Sequence, residues 1–122
     1  MRIFKNTWFS RFAKRQRITD AVLVAAVEEA EQGLIAADLG GHIIKQRIAR
    51  PGQGKSGGYR TIIVFQQGDR SFFVYGFPKS ERENIEKDEL AAFKQAAEQF
   101  LALDDDQIDA LLETNALTEI TP

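Results

Sequence analysis

Between His42 and Arg60 the chain carries Lys45, Arg47, Arg50, Lys55 and Arg60, with no aspartate or glutamate among them. Cations at this density hold a positive local field, and that field attracts phosphate whatever the net charge of the molecule. Lys79 and Arg82 follow the next apolar stretch, and Tyr59, Tyr75 and Phe77 lie near these cations in sequence. Guanidinium and ammonium groups bind phosphate oxygens, and an aromatic ring beside them can stack a base. The set therefore reads as a polyanion surface, better suited to single-stranded RNA than to duplex DNA. No segment reads as a recognition helix presenting base-reading side chains.

Other chemistries lack their residues. The run from Ala49 to Ser56 (Ala-Arg-Pro-Gly-Gln-Gly-Lys-Ser) has the loose form of a phosphate-binding loop. Such a loop must open a helix whose amides face the phosphates, whereas Gly57, Gly58 and Tyr59 lead into a β-branched run. With no cysteine and a single histidine, His42, there is no disulfide framework, no thiolate nucleophile and no zinc site. Asp104, Asp105 and Asp106 lack the glycine of a calcium loop, since Asp109 stands at its sixth position, and they read as a helix cap. No Gly-x-Ser-x-Gly elbow is present. Hydrolytic triads, metal catalysis and a bound cofactor are accordingly not expected.

The 122 residues, 43% of them hydrophobic, suit a single domain over 1–122 that buries a core without disulfides. No secretory leader or apolar run of about 18 residues is visible, so a soluble, cytoplasmic protein away from membranes is expected. The formal net charge of −2 conceals segregation: all 16 bases, but only 12 of the 18 acids, precede Asp104. Residues 104–122 form an acidic C-terminal helix and tail.

These residues need elements to position them. Thr7 suits an N-cap for a short helix with Trp8, Phe9, Phe12 and Ala13 on its core side. Thr19 caps a second helix ending near Gly33, with Leu23, Val27, Ala30 and Leu34 as its buried stripe. The two read as a helical hairpin, preceded by a short strand or extended lead-in at 3–5. Alternation over His42–Ala49 places Ile43, Lys45 and Arg47 on one strand face and Ile44 and Ile48 on the other. Tyr59–Gln66 and Ser71–Phe77 are β-branched and aromatic runs joined by a short glycine-containing turn, hence a hairpin at the centre of the sheet. After a polar connection from Lys79, helices are expected over Asp88–Leu103 and after Asp104–Asp106, with loose residues at Thr121 and Pro122.

In this order the chain resembles the RelE-like toxins of bacterial type II toxin–antitoxin modules, and within them the HigB-type branch. The resemblance is carried over about residues 1–103 by the strand Ile44-Lys45-Gln46-Arg47, the loop from Gly52 to Arg60 (Gly-Gln-Gly-Lys-Ser-Gly-Gly-Tyr-Arg) and the Tyr-Gly-Phe-Pro-Lys strand end at Lys79. It implies an α+β fold: two N-terminal helices packed on a curved antiparallel sheet of three to four strands, then one or two C-terminal helices. It also implies an mRNA interferase that cuts in the ribosomal A site without a metal. In that chemistry the ribose 2′-OH attacks the adjacent phosphate, and basic side chains transfer protons and stabilise charge.

Carried over by position, Lys45, Arg47, Arg60 and Lys79 are the catalytic candidates, and Arg50, Lys55, Tyr59, Tyr75, Phe77 and Arg82 the RNA-binding ones. A lysine acts as general base only if neighbouring cations lower its pKa. The implied partners are a cognate antitoxin, often of helix-turn-helix type, and mRNA on the ribosome, with DNA reached only through the antitoxin. After Lys79 the chain departs from the family pattern, lacking the adjacent arginine and the later tyrosine of its best-known branch. A ParE-like gyrase poison without nuclease activity, or a non-catalytic RNA-binding or interaction module, is the alternative.

Overall fold

The structure, a computed structural model, describes residues 1–50 and 54–121, with residues 54–56 described by their backbone alone. The element order is β1 (Arg2–Asn6), α1 (Thr7–Gln16), α2 (Asp20–Glu31), β2 (Ala37–Gly40), β3 (Ile43–Arg50), β4 (Gly54–Gln66), β5 (Arg70–Pro78), α3 (Lys87–Leu101), α4 (Asp105–Glu113) and β6 (Leu117–Ile120). The strands form one six-stranded sheet in the order β2-β3-β4-β5-β1-β6. Every pairing is antiparallel except that of β1 with β5, which is parallel.

The apolar runs of β4 and β5 form the sheet centre because both faces are covered. Ile63, Phe65 and Phe73 pack with Phe9, Phe12, Leu23 and Val27 of α1 and α2, while Ile62, Val64 and Phe72 pack under α3 and α4 with Ala97 and Ile108. Side chains of period two on a covered strand must be apolar on both sides, which is the pattern these runs show. Among the described residues no helix is long and apolar enough to cross a membrane.

Local chemistry sets the helix ends. Asn6, rather than Thr7, caps α1: its Oδ1 accepts from the Phe9 N–H (2.8 Å), while its Nδ2 donates to the Val74 carbonyl (3.1 Å). Thr19 caps α2 by accepting from the Val22 N–H. The two helices lie on one side of the sheet, α1 against β1 and β5 and α2 against β3. Leu34 does not extend the buried stripe of α2. The helix stops at Glu31, Gly33 turns the chain at φ +86°, and Leu34 is left 62% exposed while Ala26 is buried instead. Left-handed φ costs glycine least, so the turn falls there.

The sheet exceeds the three to four antiparallel strands expected. Residues 3–5 do form a strand, and its parallel pairing with β5 makes the sheet mixed. β2 has no signal in sequence because Ala-Asp-Leu-Gly contains no β-branched residue, and the expected strand start at His42 lies instead in the tight turn that follows, at φ +65°. The acidic C-terminal segment belongs to the core. Asp104 and Gln107 form a capping box at the start of α4. Ile108, Leu117 and Ile120 are buried, and Arg2 holds Glu119 through two nitrogens at 2.9 and 3.0 Å. Pro122 lies outside the described residues.

Candidate active site

Pairing register builds the site. On β3 and β4, Arg47 stands opposite Arg60 and Lys45 opposite Ile62. On β4 and β5, Arg60 stands opposite Phe77 and Ile62 opposite Tyr75. Directly opposed residues share a face, and neighbouring strands lie about 4.8 Å apart. Two rows therefore cross the face that carries α3: Arg47, Arg60, Phe77 and, one step in, Lys45, Ile62, Tyr75. A register shift between Ile62 and Ile63 makes this possible. Strict alternation from Phe72 and Val74 would send Tyr75 and Phe77 to the α1 side. The bulge at Val74 and Tyr75 re-aims them, as bulges beside functional sites do. It also places Gly76 against α1, where an added Cβ would stand 2.9 Å from the Phe12 ring.

Lys45 is half-buried, and its pKa is lowered from the usual lysine range, first by burial and then by the charges of Arg60 and Arg47. Loss of hydration and like charge both disfavour the ammonium. Arg47 is exposed and makes no ion pair among the described residues. The connection from Lys79 to Glu86 crosses this face. Arg60 donates to the Glu83 carbonyl, and Lys45 Nζ donates to Asn84 Oδ1 (3.4 Å). Both acceptors are uncharged, so the lysine and arginine keep their positive field.

The profile described as "RelE toxin of RelE / RelB toxin-antitoxin system" matches residues 1–120. The chain belongs to the RelE toxin family. The match runs through β6, beyond the 1–103 of the sequence resemblance, in keeping with a C-terminal strand built into the sheet. No curated protein and no solved structure matches the chain. As a RelE toxin the protein is the toxin half of a toxin–antitoxin module, and membership of that family implies an antitoxin partner.

In this RelE toxin the ten candidate residues do not all converge. Lys45, Arg47 and Arg60 do. Tyr75 and Phe77 share their face, but Phe77 is 3% exposed and packs beneath the Arg82 guanidinium, 5.3 Å from its ring centre, so it is a floor and not a free stacking ring. Tyr75 is half-buried between Trp8 (4.6 Å) and Phe93 (5.6 Å), and its hydroxyl accepts from Arg82. Arg82 is bound to both Glu89 oxygens at 2.6 and 3.2 Å, which raises its own pKa and holds Glu89 below the usual carboxylate range. It serves the fold of the connection and offers little free charge. Lys79, one residue past β5, is exposed, with its N–H donating to the Gly58 carbonyl (3.1 Å). Lys55 has its side chain outside the described residues.

Two candidates face the other way. Tyr59 is 1% exposed on the α1 face, edge-on to Phe12, and its hydroxyl donates to Gln16 Oε1 (3.0 Å). Arg50 lays its guanidinium over that Tyr59 ring at 5.8 Å. Closeness in sequence does not give these residues a face in common with the cations, because Arg60 and Tyr59, as strand neighbours, point apart. Tyr59→Phe is expected to lower stability by about 1 kcal/mol, the worth of one hydrogen bond, and denaturant unfolding checks this. Trp8, expected in the core, is 40% exposed. Asn84 and Glu89 are site residues that sequence reasoning misses, because a charged connection offers no periodicity to read.

Proposed function

We propose that this RelE toxin is an endoribonuclease that cuts translated mRNA on the ribosome by metal-independent attack of a ribose 2′-OH on the adjacent phosphate. The observation that carries the reading is Lys45: an amine of lowered pKa held beside two arginines on one sheet face. Lys45 Nζ takes the proton from the 2′-OH, and the 2′-oxygen forms its bond to phosphorus. Arg60 and Arg47 hold the phosphate oxygens, whose negative charge grows in the transition state. The bond to the 5′-oxygen breaks, and Lys79 supplies its proton. The products are a 2′,3′-cyclic phosphate and a 5′-hydroxyl, so atoms and charge balance without a further reactant.

The phosphate displaces the neutral Glu83 carbonyl from Arg60 with its own charged oxygens, a stronger pairing for that cation, while Asn84 keeps its contact with Lys45. Tyr75 and Arg82 line the side of the face where the adjoining nucleotide lies. Within this reading the branch is HigB-like, and the partner is an antitoxin of helix-turn-helix type.

Induced expression in a bacterium, with growth followed and mRNA 5′ ends mapped, tests the reading. Arrest with cuts confined to translated mRNA, lost in the Lys45→Ala/Arg60→Ala double variant, is the expected result. Arrest without cuts contradicts it and favours a ParE-like gyrase poison.

A further inference from the structure

The connection over the basic face is held by a chain of polar contacts that begins in the first turn of α3 and ends on Lys45. Glu89 Oε1 accepts from the Glu86 N–H (2.8 Å), and the Glu89 carboxylate grips Arg82. Arg82 Nε donates to the Asn84 carbonyl (2.9 Å). Asn84 Oδ1 in turn accepts from the Ile85 N–H (3.0 Å) and from Lys45 Nζ (3.4 Å). Asn84 is thus held through both its carbonyl and its side chain, and among the described residues the group distant in sequence that it holds is the Lys45 amine.

We propose that Asn84 is a positioning residue for Lys45, its carboxamide oxygen holding the amine beside the Arg47 and Arg60 guanidinium groups while the Arg82–Glu89 pair holds Asn84. The inference rests on the proposed function in giving Lys45 the role of base. A lysine has a flexible four-carbon stem and loses considerable rotamer freedom when held. A fixed acceptor selects one arrangement in advance of substrate. An uncharged acceptor suits this role, because a deprotonated amine still donates one N–H to Asn84 and keeps its lone pair for the 2′-OH. A carboxylate at the same place would stabilise the ammonium and cancel the effect of burial and of the two arginines.

The charged groups that act on Lys45 are Arg60 on β4 and Arg47 on β3; the connection above them carries Glu83, whose carbonyl accepts from Arg60, and Arg82, which contacts Asn84, Tyr75 and Glu89. The Glu89 carboxylate of this network is already paired with Arg82.

Asn84→Asp tests this, because aspartate keeps the shape and both acceptor contacts and adds only charge. Lys45 is followed in the free protein by side-chain carbon NMR against pH, and RNA cleavage is followed over the same range. The Lys45 pKa is expected to rise by about one pH unit, as for an opposite charge within a few ångströms. Cleavage near neutral pH then falls about tenfold and recovers at higher pH. Asn84→Ala, with no oxygen to offer, is expected to lower kcat about tenfold with KM within about twofold.

Coincident Lys45 titrations in Asn84→Asp and wild type overturn the proposal, as does an unchanged kcat in Asn84→Ala. If wild type cleaves no RNA, the proposed function falls, and the NMR titration still decides whether Asn84 governs the Lys45 amine.

Discussion

Lys45→Ala is expected to lower the RNA cleavage rate by about a thousandfold, within the roughly 10²–10⁴ range for loss of a general base. Lys45→Arg separates the two roles of this side chain. An arginine keeps the positive charge but does not deprotonate in water, so it restores phosphate binding and not the rate. In wild type the cleavage rate should climb about tenfold per pH unit until the pH reaches the Lys45 pKa, which lies below the ordinary lysine value of 10.5. Both Lys45 variants should lose that limb. Rapid-quench cleavage assays across neutral and alkaline pH measure these effects.

The same residue leaves a signature in stability. Because the folded state lowers the Lys45 pKa, the unfolded chain binds more protons over the interval between the folded and unfolded values. The penalty for the buried ammonium is therefore fully present below the folded pKa and is relieved as pH rises toward the unfolded one. Removing the amine removes the penalty, so Lys45→Ala should melt no lower than wild type near neutral pH. A site residue that lowers stability while it supports turnover is a common trade.

Gly58→Ala is expected to destabilise the protein by about 3 kcal/mol, at the upper end of overpacking costs. A Cβ at Gly58 would stand 2.0 Å from the Ile48 carbonyl oxygen and 2.9 Å from the Arg50 nitrogen. Those atoms are backbone, so no side-chain rotation relieves the clash and the strands must part. The register shift between Ile48 and Arg50 brings β3 this close to β4, and only a residue without Cβ fits there. Parting the strands next to Arg47 and Arg60 also separates the two guanidinium groups, so the rate should fall together with stability. Denaturant unfolding and cleavage on the same preparation measure both. Native stability in Gly58→Ala would contradict this backbone contact between β3 and β4.

Much of this arrangement is legible in the residues, and what is not has physical causes. Period-two alternation alone puts Lys45 and Arg47 on one face, and the apolar runs of β4 and β5 announce a sheet centre covered twice. Thr19 and Asp104 announce their helices because a cap is local chemistry. The outer strands are hidden: β2 and β6 are four residues each, and they are strands by virtue of their partners, β3 and β1, more than by their own composition. The facing of Tyr75 and Phe77 cannot be counted from sequence, since it depends on a one-residue bulge that reverses every later side chain on β5. Tyr59 and Arg50 join the basic cluster on sequence closeness alone, and the pleat sends them to the opposite face. Asn84 and Glu89 carry no pattern at all, because their importance lies in what the folded connection touches.

The chemistry of the cut ends tests the central claim most directly. Purified toxin acts on mRNA in a reconstituted translation reaction, with the same mRNA withdrawn from the ribosome as control, and the termini of the fragments are read by enzymatic end-labelling. Attack by the 2′-OH with Lys45 as base predicts 2′,3′-cyclic phosphate and 5′-hydroxyl ends, absent with Lys45→Ala. Ends bearing a 5′-phosphate and a 3′-hydroxyl, or cleavage undiminished in Lys45→Ala, would contradict it.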